Sequence, residues 1–379
     1  MYKSRLFTPG PTPVPEEVLL ELARPMFHHR TAEYRKMLEQ VTADMRAVLG
    51  TAQDVYTITG SGSAAMEASV ACVVAEGEKI LCVRGGKFGE RWAEIGQAFG
   101  ANVVNLDIEW GTAVSPRQIA EALKANPDAV AVYLTHCETS TATVSDVEAI
   151  GRVVAPTPAL LVVDGISSIG ALPFKMDAWG VDIAVTASQK ALMLPPGLAF
   201  IACSAKAWKK IEATRGRAYY LDLKAYKKAL AADWDNPYTP ANIMVRAAAK
   251  ALAMIKAEGV EAVWAATHRR AEALRAAAAA LGLEIYSKNP SDSVTAIKVP
   301  AGLDGEQAVK IMAKDFGVRA AGGQGKLKGK ILRFTTMGYT DDWDILAAVG
   351  ALEATLVRMG RRVSVGAGVA AAQKVLVAG

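Results

Sequence analysis

Three stretches of the 379-residue sequence hold side chains or turns that could do chemistry. The first, Ala184-Val185-Thr186-Ala187-Ser188-Gln189-Lys190, begins apolar and β-branched and ends on a lysine, with Ala191-Leu192-Met193 and Pro195-Pro196-Gly197 behind it. Burial strips an ammonium of its hydration and lowers its pKa. A lysine lowered in this way is an amine nucleophile able to form a Schiff base. The second, Leu160-Leu161-Val162-Val163-Asp164, is a continuous apolar run closed by an acid, and a buried carboxylate needs a cation or a proton donor. The third, Gly60-Ser61-Gly62-Ser63, joins strand-like Val55–Thr59 to a helix expected from Ala64 to about Ala75. Such a turn offers free backbone N–H groups to an anion, usually phosphate. Each stretch also has a plainer reading: a solvated lysine at a turn, an aspartate that caps a helix or pairs structurally, and a turn with no ligand.

These stretches need elements to position them. Apolar strands are expected at Val55–Thr59, Lys79–Val83, Asn102–Leu106, Ala129–Thr135, Leu160–Asp164, Ile183–Thr186 and Leu198–Cys203. Helical spacing separates most of them, clearest over Ala32–Leu49, which Gly50 stops. Alternating strands and helices predict a mostly parallel sheet covered on both faces. Ligands of such sheets sit outside the carboxyl ends of the strands. Gly60–Ser63, Phe88, Thr139, Asp164 and Lys190 all fall at such ends. The prolines of Thr8-Pro9-Gly10-Pro11-Thr12-Pro13-Val14-Pro15 exclude helix and central strand and predict an extended arm. Gly216–Pro240 reads as a long aromatic loop. Beyond it, Glu284–Tyr286, Val294–Val299 and Ile331–Thr335 read as strands of a second unit, with a glycine-rich flexible loop over Val318–Lys330. The division expected is an arm over 1–15, a large domain over 16–259 and a smaller C-terminal α+β domain over 260–379.

Composition narrows the function classes. The net charge of +5 is spread along the chain, with no block of about five like charges, so no nucleic-acid partner is implied. The four cysteines and four histidines show no metal-ligand spacing. No apolar run reaches about 18 residues, so no membrane span is expected. With few cysteines and no signal-peptide pattern, a cytoplasmic location is expected. Trp92 and Trp110 read as core.

A strand-end lysine, a strand-end acid, a phosphate-type turn and an aromatic at a strand end make up the set that pyridoxal 5′-phosphate needs. The chain resembles the class V, fold-type I aminotransferases of the alanine–glyoxylate/serine–pyruvate group. The resemblance runs over nearly the whole length, through Pro9-Gly10-Pro11-Thr12-Pro13, His29-Arg30, Gly60-Ser61-Gly62, Gly89-Glu90-Arg91, Val163-Asp164-Gly165, Ser188-Gln189-Lys190, Tyr238-Thr239-Pro240 and Leu332-Arg333. It implies a large domain with a mostly parallel seven-stranded sheet and a pyridoxal 5′-phosphate cofactor. It also implies ping-pong transfer of an amino group from alanine or serine to glyoxylate or pyruvate.

The resemblance implies residue roles as well. Lys190 carries the cofactor as a Schiff base and then moves the proton, and Asp164 holds the pyridine nitrogen protonated. Ser61, Gly62, Ser63 and Gln189 hold the phosphate, Phe88 stacks on the ring, Thr139 bonds near the ring hydroxyl, and Arg333 grips the substrate carboxylate. Tyr238 and Thr239 reach the site of a neighbouring subunit, so a homodimer with shared sites is expected. Some relatives carry tryptophan where this chain has Phe88 and serine where it has Thr139. A cysteine desulfurase needs a reactive cysteine late in the chain, and none follows Cys203. Phosphoserine or aspartate transamination and a non-catalytic nucleotide-binding module are the other readings.

Overall fold

A computed structural model describes residues 3–378, which leaves the first two residues of the expected arm and the last residue of the chain outside the description. The main sheet has seven strands: β1 (Val55–Thr59), β2 (Lys79–Arg84), β3 (Asn102–Asp107), β4 (Ala131–Thr135), β5 (Leu160–Asp164), β6 (Ile183–Ala187) and β7 (Leu198–Cys203). Their spatial order is β1-β7-β6-β5-β4-β2-β3. Only β7 runs against its neighbours, pairing antiparallel with both β1 and β6. The other ladders are parallel, so the carboxyl ends of six strands share one edge.

The burial pattern explains why these segments are strands. All five positions of β4, β5 and β6 are buried, as expected of β-branched runs covered on both faces. Each fully buried Val, Leu or Ile side chain contributes about 1.5–3 kcal/mol. The edge strand β3 is partly exposed along its whole length and carries Asn102, Asn105 and Asp107. The helix Ala32–Leu49 begins where Thr31 accepts the N–H of Tyr34, and it ends at Gly50, whose φ of 62° suits glycine. Its buried face includes Tyr34, Leu38, Val41, Met45 and Val48.

A large apolar core runs from Val18 to Ile255, and a second gathers Phe7 with residues between Ala273 and Leu376. In the C-terminal part, Val294–Lys298 pairs antiparallel with Ile331–Thr335, which also pairs with Ala321–Gly322. The N-terminal arm adds Arg5–Leu6 as a short parallel strand beside Val318–Arg319.

Five local expectations are corrected. Glu284–Tyr286 forms only the isolated bridge Ile285–Ile297, too short a pairing for a strand. Gly216–Pro240 contains a helix, Leu223–Asp233, which Asp222 starts by accepting the N–H of Lys224. The helix after Gly60 begins at Gly62 and stops at Ala71. Trp92 is core, but Trp110 is half-buried, with the Lys326 ammonium 4.4 Å from its ring centroid. Val318–Lys330 is not all loop, since it holds two short strands and a 3-10 turn at Gly325–Leu327.

Candidate active site

Lys190 follows β6 directly through Ser188 and Gln189 and is only 8% exposed. Burial brings its pKa from 10.5 down to about 8, while Asp164 works in the opposite direction. The amine donates to the carbonyl oxygen of Pro9. Asp164 ends β5 and is 2% exposed. Burial raises its pKa from 3.8 to about 7, although the N–H of Ile166 bonds its Oδ1 at 2.8 Å and Lys190 and Arg91 pull the value down. Each group feels the other, yet they form no ion pair. At neutral pH the pair therefore sits close to its titration range, with an amine and a carboxyl that both exchange protons readily.

Arg333 reaches the same edge from the strand Ile331–Thr335. It is 5% exposed. Its Nε donates to the Gly322 carbonyl at 3.0 Å and its Nη1 to the Thr139 carbonyl at 2.9 Å. Burial pulls its pKa down to about 10, which leaves it cationic at neutral pH. Among the described residues no carboxylate forms an ion pair with it. A buried guanidinium held by two carbonyls, on which the Glu138 charge acts without forming an ion pair, is an arrangement that a ligand carboxylate could complete. Thr139 also donates from Oγ1 to Ser167 Oγ at 2.6 Å.

The turn after β1 leads into the helix Gly62–Ala71, whose N-cap Ser61 makes no side-chain cap. Its first N–H groups are left for another acceptor. Ser63 Oγ accepts from Arg91 Nη1 at 3.4 Å. Gln189 Oε1 is buried without a hydrogen-bond partner, an orphaned acceptor beside Lys190. Phe88 opens the helix Lys87–Ala98, with the Arg91 guanidinium 5.0 Å from its ring centroid.

Tyr238 and Thr239 make no hydrogen bond to the other expected site residues among those described. Tyr238 packs on Tyr219 and Tyr220 and donates to the Tyr219 carbonyl. The segment is held beside the end of β1, where the Ala241 N–H bonds Thr59 Oγ1. Arg30 pairs with Asp235, and His29 lies edge-on to Tyr34, so the His28–Arg30 segment serves packing here.

Sequence reasoning assigned no role to Glu138. It is 5% exposed and accepts N–H bonds from Phe88, Gly89 and Ser140, as well as the Ser140 hydroxyl. Burial raises its pKa and these donors oppose the rise. It pins the first turn of the Phe88 helix to the end of β4. The signal that could have found it is the one that found Asp164, an acid at a buried strand end. Pro9 contributes a backbone oxygen, which a side-chain search overlooks.

A model of the family described as aminotransferase class-V matches residues 6–332. The chain belongs to the class-V aminotransferase family. Among its relatives, a serine–glyoxylate aminotransferase of Methylorubrum extorquens is 36% identical, covering 99% of this chain and 96% of the relative. A protein named the soluble hydrogenase 42 kDa subunit of Anabaena cylindrica is 40% identical, covering 98% of each. The solved ureidoglycine–glyoxylate aminotransferase of Bacillus subtilis superposes with a TM-score of 0.94 at 29% identity, covering 100% of this chain and 99% of that one. The fold is therefore the fold-type I aminotransferase fold, and the chain is a transaminase. Among the described residues, no helix of this aminotransferase is long and apolar enough to cross a membrane.

Proposed function

We propose that this aminotransferase uses pyridoxal 5′-phosphate to move an amino group from a small neutral amino acid, alanine or serine, to glyoxylate or pyruvate. The observation that carries the reading is Arg333, a buried cation that forms an ion pair with no carboxylate among the described residues, near the edge that carries Lys190 and Asp164. One fork suits one carboxylate, which favours a donor with no second acid. The relatives and solved neighbours named for glyoxylate support the acceptor.

The residues present fit the cofactor. The uncapped helix at Gly62 and Ser63 would meet the phosphate ester with its free N–H groups, and the Gln189 amide nitrogen would donate to the same group. Asp164 would meet the pyridine nitrogen, Phe88 the ring face, Thr139 the ring hydroxyl and Lys190 the aldehyde. When bound, the cofactor supplies a carbonyl that captures the donor's amino group and a ring that draws off carbanion charge. The chain's own groups do the rest. Arg333 fixes the donor carboxylate and so orients the α-carbon, Lys190 Nζ takes and returns the α-proton as a neutral amine, and Asp164 keeps a proton on the ring nitrogen.

The two apolar cores support the division at 15 and 259, although the helix Val260–Ala280 packs against both. The Tyr238–Thr239 segment, half-exposed at the end of β1, supports a homodimer in which it completes a partner's phosphate site. The net charge and the singly buried thiols fit a cytoplasmic protein. The hydrogenase name of one relative finds no thiol cluster here: among the described residues the one group close enough to share an ion is His268, Glu272 and Asp292, with no cysteine.

A spectroscopic half-reaction screen tests the proposal. Loaded protein mixed with single amino acids should lose its visible band with alanine or serine at least tenfold faster than with aspartate, and conversion by aspartate alone would overturn the donor assignment. Arg333→Lys keeps the charge but loses the fork. With two charge-assisted bonds at stake, each worth about 1.5–3 kcal/mol, kcat/KM for the donor should fall on the order of 100-fold. Steady-state rates over a donor series check this, and an unchanged kcat/KM would remove Arg333 from the carboxylate site.

A further inference from the structure

The N-terminal arm meets the lysine amine directly. Pro9 O is the acceptor the structure gives to Lys190 Nζ among the described residues. Gly10, with φ of 126°, lies so close that an ideal Cβ there would stand 2.2 Å from Lys190 Nζ and 2.4 Å from its Cε. Two residues later the arm is tied to the lysine's own backbone. The Thr12 N–H bonds the Gln189 carbonyl at 3.2 Å, and Thr12 Oγ1 bonds the Lys190 carbonyl at 2.8 Å, with Thr12 only 2% exposed. The other end is tied to the substrate-side strand. The Phe7 N–H bonds the Arg319 carbonyl at 2.9 Å, and the Thr335 N–H, two residues from Arg333, bonds the Phe7 carbonyl at 2.9 Å. Between these ties, Pro9 and Pro11 hold two φ angles fixed.

We infer that this arm is a positioning strap for Lys190: the Pro9 carbonyl receives the lysine amine whenever it is not covalently engaged, and Gly10 leaves the space that the amine requires. The inference rests on the proposed reading of Lys190 as the covalent anchor. The chemistry calls for such a device. A lysine side chain has four rotatable carbons and would wander once released, whereas proton transfer needs it held within reach of one carbon atom. A carbonyl dipole replaces part of the hydration that the buried amine lacks. Because its oxygen belongs to a backbone pinned at both ends, it stays in place when the lysine leaves and when it returns. The strap also registers Lys190 against the strand of Arg333, so the group that grips the donor and the group that moves its proton share one ruler of backbone. Pro9, Gly10 and Thr12 are positioning residues, acting through Lys190.

Borohydride capture and single-turnover kinetics on pyridoxal-phosphate-loaded protein test the strap. In wild-type protein, reduction should fix the cofactor on Lys190, as read by peptide mass. Gly10→Ala should still bind the cofactor in equilibrium dialysis but show at least a tenfold smaller captured fraction. Thr12→Val should keep its capture and its donor dissociation constant within twofold, while the single-turnover rate falls roughly tenfold or more, and Thr12→Ser should restore that rate. Where Gly10→Ala does not fold, as judged by its melting curve, the Thr12 pair decides alone. Wild-type capture together with a Thr12→Val rate equal to wild type, a rate loss that Thr12→Ser does not restore, or folded Gly10→Ala with full capture, overturns the strap while leaving the proposed function standing. Absence of wild-type capture at Lys190 overturns both.

Discussion

Lys190→Ala is expected to abolish transamination. On the proposed reading the lysine is at once the covalent anchor and the proton carrier, so both steps lose their reactive atom, and kcat should fall on the order of 10⁴-fold or more. The visible band of the lysine-bound cofactor should vanish, while the cofactor itself remains held at the phosphate turn and by Asp164. A small primary amine such as methylamine, added at high concentration, should return part of the lost rate, because the alanine leaves room where the Lys190 chain lay. The fold should persist, since the neighbouring strands β5, β6 and β7 are buried along their whole length by apolar residues. A variant that keeps the band or more than a hundredth of the rate would remove Lys190 from the chemistry.

Asp164→Asn should produce the second largest loss, on the order of 100- to 1,000-fold in kcat, because a neutral amide cannot hold a proton on the ring nitrogen. Its effect on the cofactor-free protein has the opposite sign. Burial raises the Asp164 pKa from 3.8 to about 7. The unfolded chain gives up this proton near 3.8, whereas the folded chain keeps it to about 7. Between those values the folded state binds more protons, so wild-type stability falls as pH rises through the window and reaches its full deficit above 7. Asparagine has no charge to bury and can still accept the Ile166 N–H. The melting temperature of Asp164→Asn should therefore match wild type near pH 4, pass it through the window and exceed it most at pH 8. Thermal melts of the cofactor-free proteins read this directly. A variant less stable than wild type at pH 8 would mean that the carboxylate is compensated in a way the surroundings of Asp164 do not indicate.

The strand frame was legible in the sequence because the chemistry of a doubly covered sheet leaves a dense signal. Runs such as Leu160–Val163 and Ile183–Val185 are apolar on both faces and stop at a polar residue that has to be accounted for, which is why Asp164 and Lys190 stood out. Arg333 was found by resemblance, and its meaning became physical only when the fold showed it buried on carbonyls and paired with no acid among the described residues. Three other parts were not readable. The helix Leu223–Asp233 sits in a stretch rich in tyrosine and flanked by loop residues, and its capping aspartate looks like any turn acid. Glu138 is, like Asp164, an acid at a buried strand end, but nothing in His136-Cys137-Glu138 announces two N–H donors from a helix 49 and 50 residues away in sequence, joined by that of Ser140. Pro9 acts through an oxygen that every residue possesses, so its part depends entirely on where the chain passes. Tyr238 and Thr239 belong to a different class again, because their expected work needs a second copy of the chain.

The lone antiparallel strand, β7, has a bearing on the size of what the site can hold. It lies between β1 and β6, and it enters the sheet where they leave it, with Leu198 beside Thr59 and Ala199 beside Ala187. The Gly60 N–H bonds the Gly197 carbonyl at 2.9 Å, so the hairpin that follows Lys190 is locked to the start of the Gly60–Ser63 turn. The loop that would take a phosphate and the loop that carries the lysine are thus held two inter-strand gaps apart, each about 4.8 Å. Were β1 and β6 direct neighbours, the two loops would abut and no ring could lie between them. On the proposed reading, the reversed strand works as a gauge block, setting a fixed clearance that would admit a flat aromatic molecule bearing a phosphate at one end and a carbonyl towards the other.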